Sequence, residues 1–334
     1  ERYYWDDTLQ LDISNPKTRQ VLIGVVKDLV KLYGVYGFRV DMAYQLLHEP
    51  FRLNWANETK FPLSDRFEDE FLVQLIREVK AEYPRVAFIA EGFWNWEKLN
   101  AAGFDLMYGQ NDMILAGGFR HIGWYEAMKN RDPWTMSEAI KRASFLYWQL
   151  GGQAMYSFIG HHDLPAPKRI FGDWLWGATF MTLLLPMAHN WYAGTEVGFE
   201  EPCDENGKMI SFNKRTQIKW RELNSSYSRF VSNCMAAEAE IRKVFGKPEM
   251  KALWPQDGSQ WIGYLLRPRG EDINGRKVLV LANPVDYSLE IHINRPDLGL
   301  CDFNTHLEKC GPHGQVLVWL DAENNPRSQS PCSV

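Results

Sequence analysis

The chain has 334 residues, 45% hydrophobic and 24% charged, with a formal net charge of -5, enough for one large cored domain and a smaller one. Its Lys and Arg residues are scattered, which argues against nucleic acid or an anionic membrane as the main partner. No apolar run approaches the roughly 20 residues that cross a bilayer.

In chain order, Asn15-Pro16 predicts a helix start, a cap residue followed by Pro in the first turn. Val21, Leu22, Val25, Val26, Leu29 and Val30 then recur at helical spacing until Gly34. Residues 36–41 are short and apolar enough for a buried strand. The pattern repeats as a helix over 64–82, with Phe71, Leu72, Leu75, Ile76 and Val79 inward, and a strand over 85–91. A strand over 104–108 follows. A helix over 136–149 precedes a strand over 154–160, and a helix over 174–184 precedes a strand-like 187–193. The last helix covers 227–244.

Strands alternating with helices predict parallel βα units. Five such units are read, fewer than a closed (β/α)8 barrel needs. An incomplete barrel leaves unpaired parallel edges, so another polypeptide supplies the missing strands or the sheet is open. From Lys247 the texture changes to strands over 261–267, 277–282, 287–293 and 315–320, separated by turn residues. The expected organisation is 1–246 as part of a barrel, 247–322 as an antiparallel β-sandwich domain, and 323–334 as a mobile polar tail.

The cysteines are Cys203, Cys234, Cys301, Cys310 and Cys332. None forms a C-x-x-C pair and no His stands at zinc-ligand spacing, so no structural metal is expected. The odd count leans toward reduced thiols, with a Cys301–Cys310 bridge across a loop as the alternative. The compartment is undetermined, with the cytoplasm slightly favoured. Aromatic content is 14%, including 14 Trp. Most of these rings must be core, and some excess is expected where flat sugar faces stack.

Three acids stand at the C-terminal ends of separate predicted strands: Asp41, Glu91 and Asp163. Barrel enzymes place catalytic groups there. Glycosidic cleavage needs two carboxyls in opposite protonation states, and a third can stabilise positive charge at the sugar carbon. Strand alternation puts Arg39 on the same face as Asp41, where its guanidinium favours the carboxylate. Glu91 follows the apolar run Val86-Ala87-Phe88-Ile89-Ala90 and precedes Phe93, Trp94 and Trp96, a rim that keeps it protonated. His162 supplies a donor beside Asp163. Taken singly, each acid reads more simply as a helix cap or loop residue, Arg39–Asp41 as a structural ion pair, and His162 as a core histidine. The case rests on the set.

Gly37-Phe38-Arg39-Val40-Asp41 resembles the α-amylase superfamily (glycoside hydrolase family 13) motif that carries the nucleophile. Phe88-Ile89-Ala90-Glu91 resembles its general acid/base motif, and Phe158-Ile159-Gly160-His161-His162-Asp163 its Asn-His-Asp motif. Leu11-Asp12-Ile13-Ser14-Asn15-Pro16, Asn190-Trp191-Tyr192-Ala193-Gly194-Thr195-Glu196-Val197-Gly198 and Leu281-Ala282-Asn283-Pro284 are similar to further family stretches, all in the family's order.

The resemblance implies the C-terminal portion of the enzyme, lacking the first three barrel strands. It implies Asp41 as nucleophile, Glu91 as acid/base and Asp163 as transition-state stabiliser. Arg39, His162, His161, Trp94 and Tyr44 would be substrate-binding. No cofactor is required for the chemistry. A structural calcium would take its usual ligands from outside this chain. The implied partners are an α-glucan or oligosaccharide and the N-terminal half of the barrel, as a separate chain or a missing segment.

The pattern departs from the family's at His161, where Asn is usual, at Tyr44 and Gln45, where many α-amylases carry Lys-His, and at Ala166, where many relatives have Arg. The expected activity is retaining hydrolysis of α-glucosidic linkages. A glucan or maltosyl transferase is the alternative within catalysis, and a non-catalytic superfamily scaffold the alternative outside it.

Overall fold

A computed structural model of the chain describes residues 8–55, 57–108, 113–114, 120–121, 123–149, 155–200, 217–254, 258–270, 275–321 and 326–330. It divides into two compact units, one of residues 1–109 with 153–156, the other of 110–152 with 157–334. The helices are α1 (Pro16–Tyr33), α2 (His48–Trp55), α3 (Phe71–Glu82), α4 (Trp96–Ala101), α5 (Trp124–Asn130), α6 (Pro133–Gln149), α7 (Pro167–Phe171), α8 (Leu175–Leu183) and α9 (Ser226–Phe245). The strands of the first half are β1 (Gly37–Val40), β2 (Ala87–Glu91), β3 (Leu106–Tyr108), β4 (Met113–Ile114), β5 (Arg120–His121), β6 (Met155–Ser157) and β7 (Ala188–His189).

In the first unit, the Asn15 side chain accepts the Lys17 N–H at 2.9 Å and starts α1. Gly34, at φ 64°, ends it by donating its N–H to the Val30 carbonyl, a conformation that costs most L-residues about 1–2 kcal/mol. β1 pairs parallel with β2 (Gly37 opposite Ala87), β2 with β3 (Ile89 opposite Leu106), and β3 with β6 (Tyr108 opposite Tyr156). These registers place the C-terminal ends of β1 and β2 side by side.

α3 buries Phe71, Leu72, Leu75, Ile76 and Val79 as the periodicity predicts. It begins later than predicted because a buried polar pair takes over its first turn. The Glu70 carboxylate accepts the His48 N–H at 2.7 Å, and Phe71 N–H donates to His48 Nε2 at 3.2 Å. α1 forms where the helical spacing predicts, but it buries Ile23, while Val21, Val25, Leu29 and Leu32 lie exposed along one stripe. Among the described residues of this unit, nothing covers that stripe and no strand pairs with the far edge of β1.

In the second unit, Asn190 N–H donates to the Ser157 carbonyl at 2.8 Å, tying the end of β7 to the last residue of β6. The predicted strand over 187–193 is reduced to two residues, since Gly194, at φ 96°, turns the chain into a 3-10 helix at Thr195–Val197. Position 154, the predicted start of the preceding strand, lies outside the described residues.

The antiparallel part comprises β8 (Glu249–Ala252), β9 (Ile262–Arg267), β10 (Lys277–Ala282), β11 (Leu289–Arg295), β12 (Leu300–Leu307), β13 (Gln315–Leu320) and β14 (Pro326–Ser330). One sheet runs β14-β13-β10-β9-β8, and β11 pairs with β12. Leu265, Leu279, Leu281, Ile291, Ile293 and Phe303 fill the core between them. The sheet is joined to the helices of its own unit: Ser137 and Ser144 of α6 donate to the carbonyls of Leu253 and Met250, and the Tyr264 hydroxyl donates to the Met181 carbonyl of α8.

Part of the predicted tail is ordered, because Pro326–Ser330 pairs with β13; 322–325 and 331–334 lie outside the described residues. The Cys301–Cys310 alternative is corrected: neither thiol is in a disulfide, and nor is buried Cys234. Cys203 and Cys332 lie outside the described residues. No described helix is long and apolar enough to cross a membrane.

Candidate active site

The chain leaves β1 at Asp41 and turns sharply at Met42, whose φ of 44° is left-handed. This turn brings two carboxyls together. Arg39 Nη1 donates to Asp41 Oδ1, and Arg39 Nη2 lies 2.8 Å from Glu91 Oε1. The Met42 N–H donates to Glu91 Oε2 at 2.8 Å. The Arg39 guanidinium thus bridges Asp41 and Glu91.

The environments differ. The Asp41 side chain is 78% exposed and that of Glu91 is 9% exposed. Burial pushes the Glu91 carboxyl above its ordinary value. The Met42 N–H and the Arg39 charge pull it back, while Asp41 adds to the rise. Glu91 is thus the carboxyl whose surroundings favour holding a proton. One carboxyl poised as acid beside one held by a guanidinium is the division of labour that glycosidic chemistry requires.

Trp94 is exposed, and its ring packs on buried Tyr44 at 4.1 Å between centroids. Phe93 also packs on Tyr44, at 5.6 Å. The accessible ring of this group is that of Trp94. It borders a cleft of about 320 Å³ with Gln45, Glu49, Leu53 and Asn54.

Sequence reasoning missed Tyr108 and Tyr156. Tyr108 stacks edge-on to Phe93 at 5.2 Å and lies 5.9 Å from Tyr156. Burial raises the Tyr156 hydroxyl, which also feels the charges of Arg39 and Glu91. Tyr108 stands on β3, which pairs parallel with β2, and Tyr156 on β6, the next strand beyond β3. Their aromatic type at strand ends was the available signal, and it is indistinguishable from ordinary core in sequence.

Asp163, His161 and His162 belong to the second unit. His162 Nε2 lies 3.2 Å from Asp163 Oδ2 and His161 Nδ1 3.6 Å from the same oxygen. The Asp163 N–H donates to His161 Nδ1 at 3.2 Å, which puts the proton of a neutral His161 on Nε2. His161 is buried against the edge of Phe158, while His162 and Asp163 are exposed. Gly160 is required before them, since a Cβ there would lie 2.7 Å from Pro167 Cγ. His161, His162 and Asp163 are also the one described group whose atoms converge within 4.8 Å as metal ligands could. The Nδ1 of His161 is already engaged by the Asp163 N–H, so the cluster is accounted for by its own hydrogen bonds and ion pairs.

A scan against protein-family models finds none that matches the chain. A segment of 111 residues is 32% identical to the 1,4-alpha-glucan branching enzyme GlgB of Bacillus caldolyticus, covering 33% of this chain and 16% of that protein. The GlgB of Geobacillus stearothermophilus is 30% identical over the same length, with the same coverage. Among solved structures, an alpha-amylase from H. orenii superposes on 94% of this chain and 66% of its own, with a TM-score of 0.64 and 17% identity. A trehalose-6-phosphate hydrolase from Bacillus licheniformis superposes on 93% of this chain and 70% of its own, with a TM-score of 0.64 and 14% identity. The chain thus spans a sixth of the curated relatives and about two thirds of the similar structures. Motifs, partial barrel and β domain agree: this chain has the fold of the α-amylase superfamily, the family its sequence resembles.

Proposed function

We propose that the enzyme containing this chain breaks α-glucosidic linkages of glucans or malto-oligosaccharides by a retaining mechanism. An Asp41 oxygen attacks the anomeric carbon as Glu91 gives its proton to the departing glycosidic oxygen. The glycosyl ester on Asp41 is then broken by an acceptor hydroxyl whose proton returns to Glu91. Arg39 holds both carboxyls in register, and Asp163 with His162 stabilises the positive charge at the sugar carbon, an assignment that rests on the motif. No cofactor takes part. The observation that carries the reading is the buried Glu91, raised by burial, and the exposed Asp41 both held by one guanidinium, that of Arg39.

An activated fluoroglucosyl fluoride should label Asp41 in the assembled enzyme, detected by peptide mass spectrometry. Labelling should vanish in Asp41→Asn with folding unchanged. Label on another residue, or none in the wild type, would remove the basis of the proposal.

Transfer to a sugar acceptor is the second reading. It is favoured by the segment alike to branching enzymes and by the exposed Trp94 beside a cleft, where an acceptor sugar can be held. Longer or branched products without reducing-end release would identify it. The retained acids disfavour a non-catalytic scaffold.

The uncovered stripe of α1 and the free edge of β1 support completion of the barrel by further polypeptide, joined or separate. Cys301 and Cys310 remaining as thiols favours a reducing compartment such as the cytoplasm.

A further inference from the structure

The second unit holds a cleft of about 880 Å³ lined by none of the residues assigned above to chemistry or to sugar binding. Its walls carry four cations: Lys141 of α6, Lys251 of β8, Arg267 at the end of β9 and Arg295 at the end of β11. Two carboxylates answer them. Glu249 is shared by Lys251 at 2.6 Å and Arg267 at 2.9 Å, and Asp297 is gripped by two nitrogens of Arg295 at 2.8 and 2.7 Å. Lys141 has no carboxylate within ion-pair distance among the described residues. Its ammonium lies 5.6 Å from the centre of the Trp254 ring. Arg267 Nη1 is buried without a hydrogen-bond partner. The cleft therefore has a surplus of positive charge, and one of its cations carries a buried donor with no partner.

Aromatic surface adjoins this charge. Trp254 lines the cleft and packs on Trp134, with centroids 5.3 Å apart and planes tilted by 51°. Trp134 is 54% exposed. Tilted rings in contact leave no parallel slot for a flat base, but they offer an angled apolar surface to the C–H face of a puckered ring.

We infer that this cleft binds a phosphorylated sugar, with the phosphate held by Lys141, Lys251 and Arg267 and the ring lying on Trp254 and Trp134. The ligand is a free sugar phosphate or a phosphate ester on a glucan, which share this chemistry. The inference is independent of the proposed catalytic reading, because it is measured by binding alone.

The test is calorimetric titration of the full-length protein with glucose 6-phosphate, singly phosphorylated maltoheptaose, maltoheptaose, inorganic phosphate and ADP. Saturable binding of at least one phosphorylated sugar is expected, about tenfold or more tighter than maltoheptaose or inorganic phosphate. Preference for glucose 6-phosphate identifies a free ligand, and preference for the phosphorylated oligosaccharide a polymer. Lys141→Gln and Trp134→Ala, both at exposed positions, should each weaken that binding about fivefold or more with an unchanged circular dichroism spectrum. Asp41→Asn should leave it unchanged.

Three results would each overturn the inference. They are phosphorylated sugars binding no more tightly than maltoheptaose or inorganic phosphate, ADP binding most tightly, and affinity lost in Asp41→Asn but kept in Lys141→Gln and Trp134→Ala.

Discussion

A carboxyl that delivers a proton near neutral pH must be sheltered from water, and Glu91 is sheltered by the strand that carries it and by the turn at Met42. Its raised affinity for a proton has a definite sign in stability. Below the ordinary value of 4.5 the group is protonated in folded and unfolded chains alike, so nothing is lost there. As pH rises from 4.5 through the raised folded value, the unfolded chain ionises more readily and the native state loses stability. Glu91→Gln should therefore melt higher than the wild type at neutral pH, with the difference vanishing below 4.5. Its turnover should fall by about 10²–10⁴-fold, and melting curves paired with rate measurements across pH check both. In the proposed reading Trp94 meets another part of the substrate. Trp94→Ala should raise KM for long oligosaccharides about five- to tenfold, the value of one aromatic contact, while kcat for an activated short glucoside barely moves.

At the scale of elements, the turn after β1 is the feature that creates the site. A non-glycine residue at φ 44° is costly, and here the cost orients the N–H that holds Glu91. A β-branched side chain tolerates this conformation worst. Met42→Val should destabilise the protein by about 1–2 kcal/mol in denaturant titration and displace the alkaline limb of the pH–rate profile. Much of this was legible in sequence: the Asn15 cap, the Gly34 stop, the inward face of α3, and Arg39, Asp41 and Glu91 at strand ends. What escaped was non-local. The His48–Glu70 pair that delays α3 joins residues 22 apart. β12 and β14 have ordinary polar compositions and become strands only through their partners. Tyr108 and Tyr156 meet because their strands are neighbours, which no spacing along the chain reveals.

For the molecule as a whole, the stripe of Val21, Val25, Leu29 and Leu32 carries the clearest consequence. Val21→Lys with Leu29→Lys changes residues that already face outward, so α1 should keep its helicity. If, as proposed, further polypeptide packs on this stripe, its association or folding onto the chain should be lost, with activity falling to background in size-exclusion and rate assays of the assembled enzyme. Retained assembly would show that the stripe is not the mating surface. The serine and tyrosine bonds from α6 and α8 into the antiparallel sheet have a different implication. Those strands are not a cassette that recombination or a protease could detach cleanly. Loss of the buried Ser137 and Tyr264 bonds would leave polar atoms without partners in the interior, so deleting these strands should cost the helices of the unit their stability as well.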